Sequence, residues 1–152
     1  MPWLLDTNIL SEIRRPKPEP RVLAFIAACP LDDLYISAVT LAELGFGIER
    51  LEQGERRNEL SHWLALTVGP MFNQRVLRVT EDIIFRWRVL MEQGRRVGHT
   101  YSQPDLLIAA TALHYAFKIV TRDRDDFDKA GVSVINPWED PPQRMTGPQL
   151  TS

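Results

Sequence analysis

The sequence predicts an α/β fold, a single domain with a central, mostly parallel β-sheet flanked by α-helices. Three observations predict it. Short apolar runs of strand length alternate with helix-length segments along the chain, the pattern of βαβ units joined by right-handed crossovers. A length of 152 residues is enough to bury one core without disulfide or metal staples. The composition, 44% apolar and 25% charged, is that of an ordinary soluble domain, and neither an internal repeat nor a second domain is visible.

Residues 3–6 (Trp-Leu-Leu-Asp) read as a short buried strand, and Thr7 or Asn8 can cap a helix that starts immediately. Pro16, Pro18 and Pro20 form a rigid connector, with Pro20 placed to open a helix over 20–29 that Pro30 closes. After the acidic turn Asp32-Asp33, residues 34–37 form a second strand. From Val39 a helix follows, its apolar stripe set by Leu41, Leu44, Ile48 and Leu51. Gln53-Gly54 ends it and 55–67 make another helix. A strand at 76–79 leads to Thr80, an N-cap for a helix from Glu81 to about Gln93, and 94–101 read as a loop rich in Gly and Arg. Ser102 opens a helix to about Phe117, with Leu106, Ala109, Ala110, Leu113 and Phe117 inward. Residues 119–121 form a buried strand, 122–126 a polar turn, and 132–135 the last strand. The domain therefore spans 1–140, and 141–152, a Pro-, Gly- and polar-rich stretch, is expected to be a disordered tail.

The net charge of -2 does not by itself favour a nucleic-acid partner. Its distribution is more informative. Basic residues gather at Arg14-Arg15-x-Lys17, Arg56-Arg57, Arg75 with Arg78, Arg86 with Arg88, and Arg95-Arg96, and arginine is the better fork for phosphate oxygens. Each pair equally suits a solvated helix face. The lone Cys29 rules out an intrachain disulfide or a cysteine zinc site and reads as a small buried hydrophobe. No apolar run approaches the roughly 18–20 residues of a membrane-spanning helix, and Asp6 and Asn8 interrupt the apolar start, so no signal peptide and a cytoplasmic location are expected.

In open α/β sheets ligands bind beyond the carboxyl ends of the strands. Four acids fall there: Asp6 at the end of the first strand, Glu43 early in the helix after the second, Asp105 in the first turn after Ser102, and Asp123 just beyond the strand 119–121. Singly, each has a bland explanation. Ser102-x-x-Asp105 matches a capping box, Glu43 suits a solvated helix face, and Asp123 suits a turn. Asp6 is harder to dismiss, because an acid after Leu4-Leu5 in a core strand is expensive to desolvate unpaired. Gathered carboxylates repel unless a cation joins them. Hard oxygen donors suit Mg²⁺ or Mn²⁺, whereas His62, His99 and His114 lack zinc-ligand spacing. Such an ion can lower the pKa of a water and neutralise charge developing on a phosphodiester.

Four segments resemble the motifs of PIN-domain proteins: Leu4-Leu5-Asp6-Thr7-Asn8-Ile9-Leu10-Ser11, Ile36-Ser37-x-Val39-Thr40-x-x-Glu43-Leu44, Asp105-x-x-Ile108-Ala109-Ala110-x-Ala112, and Val120-Thr121-Arg122-Asp123-x-x-Asp126-Phe127. Within that family the chain is similar to VapC-type toxins, FitB-like proteins included, of prokaryotic type II toxin–antitoxin pairs. The resemblance implies a single PIN-like domain and a metal-dependent endoribonuclease toxin that hydrolyses RNA with a metal-activated water. It assigns catalysis and Mg²⁺ (or Mn²⁺) binding to Asp6, Glu43, Asp105 and Asp123. Thr7, Asn8 and Thr121 become supporting residues that orient the carboxylates; Asp126, which could share the role of Asp123, is read as structural support. It further implies a homodimer and a cognate antitoxin that sends a basic residue into the acidic pocket, its groove placed around helices 8–29 and 39–53. DNA would be contacted only through the antitoxin, and no membrane partner is expected. Arg122 and Arg124, flanking Asp123, are candidate RNA contacts that equally suit balancing the local acidity, and Tyr101, before the third motif, is a candidate for stacking on a base or for a rim aromatic that covers the core. Trp3, Trp63, Trp87 and Trp138 read as core or interface residues.

Two other classes compete. An aspartyl-phosphate enzyme of the haloacid-dehalogenase type also places an Asp after its first strand, but it would want a second acid where Asn8 stands, and Lys118 precedes its strand rather than ending one. The other is an RNA- or antitoxin-binding PIN-like module with little or no catalysis. Against it stands the full set of acids, whose mutual repulsion costs stability that silent binding has no reason to bear.

Overall fold

The computed structural model describes residues 1–141; all but the first residue of the expected tail lies outside them. Five strands, β1 (Trp3–Leu5), β2 (Leu34–Ser37), β3 (Val76–Leu77), β4 (Lys118–Val120) and β5 (Val134–Ile135), form one sheet in the order β3-β2-β1-β4-β5. Every pairing is parallel, so the expected mostly parallel sheet is parallel throughout. The helices are α1 (Thr7–Ile13), α2 (Pro20–Ala28), α3 (Ala38–Glu49), α4 (Glu55–Trp63), the single turn α5 (Gly69–Met71), α6 (Glu81–Arg96), α7 (Gln103–Tyr115) and α8 (Asp125–Lys129). The chain builds outward from β1 through β2 to β3, then returns to the other side of β1 for β4 and β5. The strand order therefore reverses between β1 and β4, where a doubly wound sheet opens a crevice.

Strands this short cannot be held by their ladders alone. Their alternating side chains instead feed two cores. Trp3, Leu5, Leu34, Ile36 and Val120 join Ile9, Leu10, Val22 and Phe72 on the face of α1 and α2. Leu4 and Ile119 join Ile108, Ala109, Ala112 and Phe127 on the face of α7 and α8. Fully burying each large apolar side chain contributes roughly 1.5–3 kcal/mol, so packing rather than pairing stabilises the sheet. A third cluster, Ile83, Leu90, Tyr101, Leu106 and Ala110, packs α6 onto α7. Trp3 and Trp138 are core residues and Cys29 is buried, as expected.

Several elements depart from the sequence expectation. The cap of α1 is Asp6, not Thr7 or Asn8: its side chain accepts from the Thr7 amide. The acidic turn closes into a 3₁₀ turn over Leu31–Asp33. The helix expected to stop at 67 continues through a wide π turn, Leu64–Val68, into α5. Pro70 explains the widening, since it has no N–H and its ring crowds the carbonyl four residues back; the Gly69 amide instead reaches the Leu64 carbonyl. The expected polar turn 122–126 gives way to α8, and β5 is shorter than 132–135.

The helix expected to end at Gln93 runs on to Arg96. Gly94 permits this because the Tyr101 ring returns against it. A Cβ at Gly94 would lie 2.6 Å from Tyr101 Cε2 and 2.9 Å from the His99 carbonyl oxygen. The reversal itself occurs at Gly98, whose φ is +72°. Gly94→Ala should therefore destabilise the fold by about 1–3 kcal/mol through overpacking, despite alanine's better helix propensity. Denaturant unfolding checks this, and a neutral or stabilising result would contradict the close packing of Tyr101 on Gly94.

Candidate active site

The site begins with one buried acid. Asp6 follows β1 at the point where the strand order reverses and is 4% exposed. Its amide donates to the Val120 carbonyl at 2.9 Å, extending the β1–β4 ladder by one bond. Its Oδ1 accepts from the Thr7 amide at 2.8 Å, and its Oδ2 accepts from the Thr121 hydroxyl at 2.7 Å and from Asn8 Nδ2 at 3.4 Å. Thr121 Oγ1, fully buried, accepts in turn from Asn8 Nδ2 at 3.0 Å and from the Asp123 amide at 3.1 Å. Asn8 Nδ2 also lies 3.4 Å from Asp123 Oδ2, and Asn8 Oδ1 accepts from the Arg122 amide at 3.3 Å. Asn8 and Thr121 thus tie the ends of β1 and β4 together around two carboxylates. Thr7 bonds the buried Thr40 hydroxyl on α3 at 3.3 Å, which links the same corner to the helix carrying Glu43.

Two of the other acids, Glu43 and Asp105, stand on helices α3 and α7, and Asp123 stands in the loop after β4. Asp105, in the first turn of α7, is half-buried, and Glu43 and Asp123 are exposed. Burial, reinforced by the charges of Asp6, Asp126, Asp123 and Glu43, pushes the Asp105 carboxyl up to about 7. All four expected acids therefore meet in one electrostatic field. Asp6 is also raised: burial pushes it up, the bonds from Thr121 and Thr7 draw it part-way back, and the Asp123 charge pushes it up again. Among the described residues none of these four acids has a Lys, Arg or His ion-pair partner.

A hard cation fits this donor chemistry, which consists of carboxylate and amide oxygens short of positive charge. Among the described residues no three His, Cys, Asp or Glu side chains form a ready-made ligand shell.

A family model for the PIN domain matches residues 3–132. The chain belongs to the PIN domain family. It is 40% identical to the VapC ribonuclease Y4jK of Sinorhizobium fredii over 136 residues, covering 90% of this chain and 97% of that protein. It is 37% identical to Toxin FitB of Neisseria gonorrhoeae, covering 90% of this chain and 99% of that one. Among solved structures it matches FitAcB from Neisseria gonorrhoeae with a TM-score of 0.84 at 36% identity, over 90% of this chain and 99% of that chain. A structure of FitAB bound to an IR36 DNA fragment matches with a TM-score of 0.85 at 34% identity, over 91% of this chain and 97% of that chain.

Within this PIN domain the remaining expected residues have definite places. Asp126 accepts from the Ser102 amide at 3.0 Å and pairs with His99 Nε2 at 2.9 Å, fixing the approach to α7. The Ser102 side chain makes no capping bond, so Ser102-x-x-Asp105 is not a capping box. Tyr101 does not present a stacking face: it is 8% exposed, its ring wedged against Gly94 and edge-on to His99. Arg124 is engaged by Asp140 at 3.0 Å and Asp128 at 3.5 Å rather than held free for RNA. Arg122 lies over the Trp138 ring, 5.4 Å from its centroid. Sequence reading gave no role to Thr40, Asn136 or Asp140. Only Thr40, inside the second motif, carried a signal that could have found it.

The raised carboxyls make a signed pH prediction for the metal-free protein. The native state binds protons that the unfolded state, with ordinary aspartates, releases between about pH 4 and 7. Stability should therefore fall as pH rises through that window and level off above it. Asp105→Asn should melt higher than the parent in chelator, by a margin that grows from pH 5 to pH 8. Thermal melts check this, and a margin independent of pH would refute the shared field.

Proposed function

We propose that this chain is the toxin of a toxin–antitoxin pair, an endoribonuclease that hydrolyses RNA phosphodiesters with the help of Mg²⁺ or Mn²⁺. The observation that carries the reading is the convergence of Asp6, Glu43, Asp105 and Asp123, without cationic partners among the described residues, at the reversal point of the sheet. The names of its relatives, VapC ribonuclease and Toxin FitB, support the same class.

When bound, the divalent ion supplies positive charge for the phosphodiester and a lowered pKa for the attacking water. Asp6 is the fixed anchor of the site, its geometry dictated by Thr7, Thr121 and Asn8. Asp105, with its carboxyl near 7, is poised to hold or surrender a proton at neutral pH. Glu43 and Asp123 form the solvent side, where RNA must enter. The protein's own contribution is position and field rather than a nucleophile.

The partners follow from two surfaces. A cavity of about 300 Å³ beside the site is walled by Thr7 and Arg14 of α1, Glu43 and Leu44 of α3, and Leu60 and Trp63 of α4. Its apolar floor of Leu44, Ile48, Leu51, Leu60 and Trp63 suits the apolar face of an antitoxin segment, and Glu43, set between Arg14 and Arg56 on the rim, is the acid that a basic side chain of that segment would meet. The cavity takes in α1 and α3, which fall within the expected 8–29 and 39–53, and adds α4. The second surface lies on α6. Asp82, Phe85, Arg86 and Val89 share one helical face beside His114, and Phe85 is 72% exposed. A two-fold axis across this face would set each Asp82 against the partner copy's arginine and bring the apolar residues together, which supports it as the face of a homodimer.

Purified, partner-free protein should cleave structured RNA with Mg²⁺ or Mn²⁺ and not in chelator. Asp6→Asn and Glu43→Gln should each lower the rate by roughly a hundredfold. Full activity in Asp6→Asn would sink the mechanism, and inactivity of the folded parent with retained RNA binding would favour a binding module. For the assembly, light scattering should find a dimer that Phe85→Glu converts to monomer; an unchanged dimer would place the interface elsewhere.

A further inference from the structure

Asp123 is exposed, and its own contacts are slight: Thr121 holds its amide, and Asn8 reaches its carboxylate at the limit of hydrogen bonding. The residues on either side of it are held firmly, by a segment far along the chain. Asn136 Nδ2 donates to the Arg122 carbonyl at 3.3 Å. The Arg122 guanidinium lies over Trp138. Asp140 Oδ2 accepts from Arg124 Nη1 at 3.0 Å and from the Asn136 amide at 2.7 Å. The segment is itself anchored, since Asn136 Oδ1 accepts from the Trp138 amide at 2.9 Å and Trp138 Nε1 donates to Glu12 Oε1 at 3.3 Å. Glu12 is buried on α1, the helix that Asp6 caps. Burial alone would push its carboxyl up, and the bonds from Arg15 and Trp138 overcome this, holding it below its ordinary value.

We propose that Asn136–Asp140 is a strap that positions Asp123 through Arg122 and Arg124, with Trp138 and Asp140 as positioning residues for the reaction proposed above, on which this assignment to catalysis rests. The alternative is a strap that serves stability alone. Arg124 and Asp140 are 39% and 33% exposed, and a pair so open to solvent adds little to stability. What it does fix is direction, because a bond on each side of Asp123 limits how that exposed loop can turn.

The decisive variant is Asp140→Asn, which keeps an oxygen for the Asn136 amide and removes the charge facing Arg124. Asp128→Asn is its control, because Asp128 also faces Arg124 but belongs to α8 rather than the strap. In the full chain, Asp140→Asn should melt close to the parent while the backbone amide resonances of Arg122 and Asp123 move, and Asp128→Asn should leave them in place. With RNA, Asp140→Asn should lower kcat about tenfold with KM nearly unchanged, and raise the Mg²⁺ concentration needed for half-maximal rate about tenfold. Trp138→Phe, which keeps a ring under Arg122 and loses the bond to Glu12, should shift the same resonances. Unmoved resonances in folded Asp140→Asn and Trp138→Phe, or equal shifts in Asp128→Asn, would overturn the strap. So would a parent-like kcat and Mg²⁺ requirement in Asp140→Asn. If the parent cleaved no RNA, the nuclease reading would fail by itself, and the resonances alone would still decide whether the strap holds Asp123.

Discussion

The burial of Asp6 is the constraint on which the rest of this structure depends. A carboxylate left unpaired in a core is strongly destabilising, and this one lies at the end of the central strand with almost no access to water. Its acceptors are met by the Thr7 amide and the Thr121 hydroxyl, with Asn8 beyond. Thr121 can be there only because Leu5 pairs with Val120, which sets the next residues of the two strands side by side. A slip of β4 by one residue would turn Ile119 and Val120 to the wrong cores and leave Asp6 without its hydroxyl. Sheet register and site geometry are therefore specified by the same few contacts, and neither can drift without the other.

From that anchor the acids grade outward: Asp6 buried, Asp105 half-buried, Glu43 and Asp123 exposed. The gradient separates two requirements that conflict in a single shell. A fixed geometry needs residues locked by packing and hydrogen bonds, whereas admission of a polyanion needs an open rim. The inner residues meet the first requirement through β1 and β4. The outer ones meet the second, and contacts near their own elements steady them: the Thr7–Thr40 bond that ties α3 to α1, Asp126 at the entry to α7, and the Asn136–Asp140 segment beside Asp123.

What was legible in the sequence and what was not divides along the range of the interactions. The strand 34–37, the strand expected at 119–121 (found one residue earlier), the stripe of α3 and the inward residues of α7 up to Leu113 follow from short apolar runs and local periodicity, and the four acids follow from asking what stands at strand ends. The extra turn of α6 was illegible because it depends on Tyr101 folding back over Gly94, a contact that no local propensity encodes. Whether Arg124 meets phosphate or balances nearby acids is not decided locally, because one of its two partners, Asp140, comes from a separate segment. Tyr101 is a stacking candidate in the sequence for a like reason, since the contact with Gly94 that buries its ring is not visible locally. Asp6 looked too costly for a strand end, and the structure gives the resolution: it serves at once as helix cap, ladder residue and site anchor.

The pocket's electrostatics also bear on how such a protein would be controlled. Four acids without cationic partners among the described residues leave a deficit of positive charge there, and burial together with that deficit pushes the Asp105 carboxyl up to about 7. On the proposed reading, a divalent ion and a basic side chain from a partner are alternative answers to that one deficit. Each would displace the proton on Asp105, because an added positive charge favours the ionised carboxylate. Two cations cannot both gain the full attraction of the same carboxylates, since each lowers the field that the other would feel. Inhibition would then need no distortion of the fold: the contact that silences the site would draw on the same unneutralised charge that makes it active.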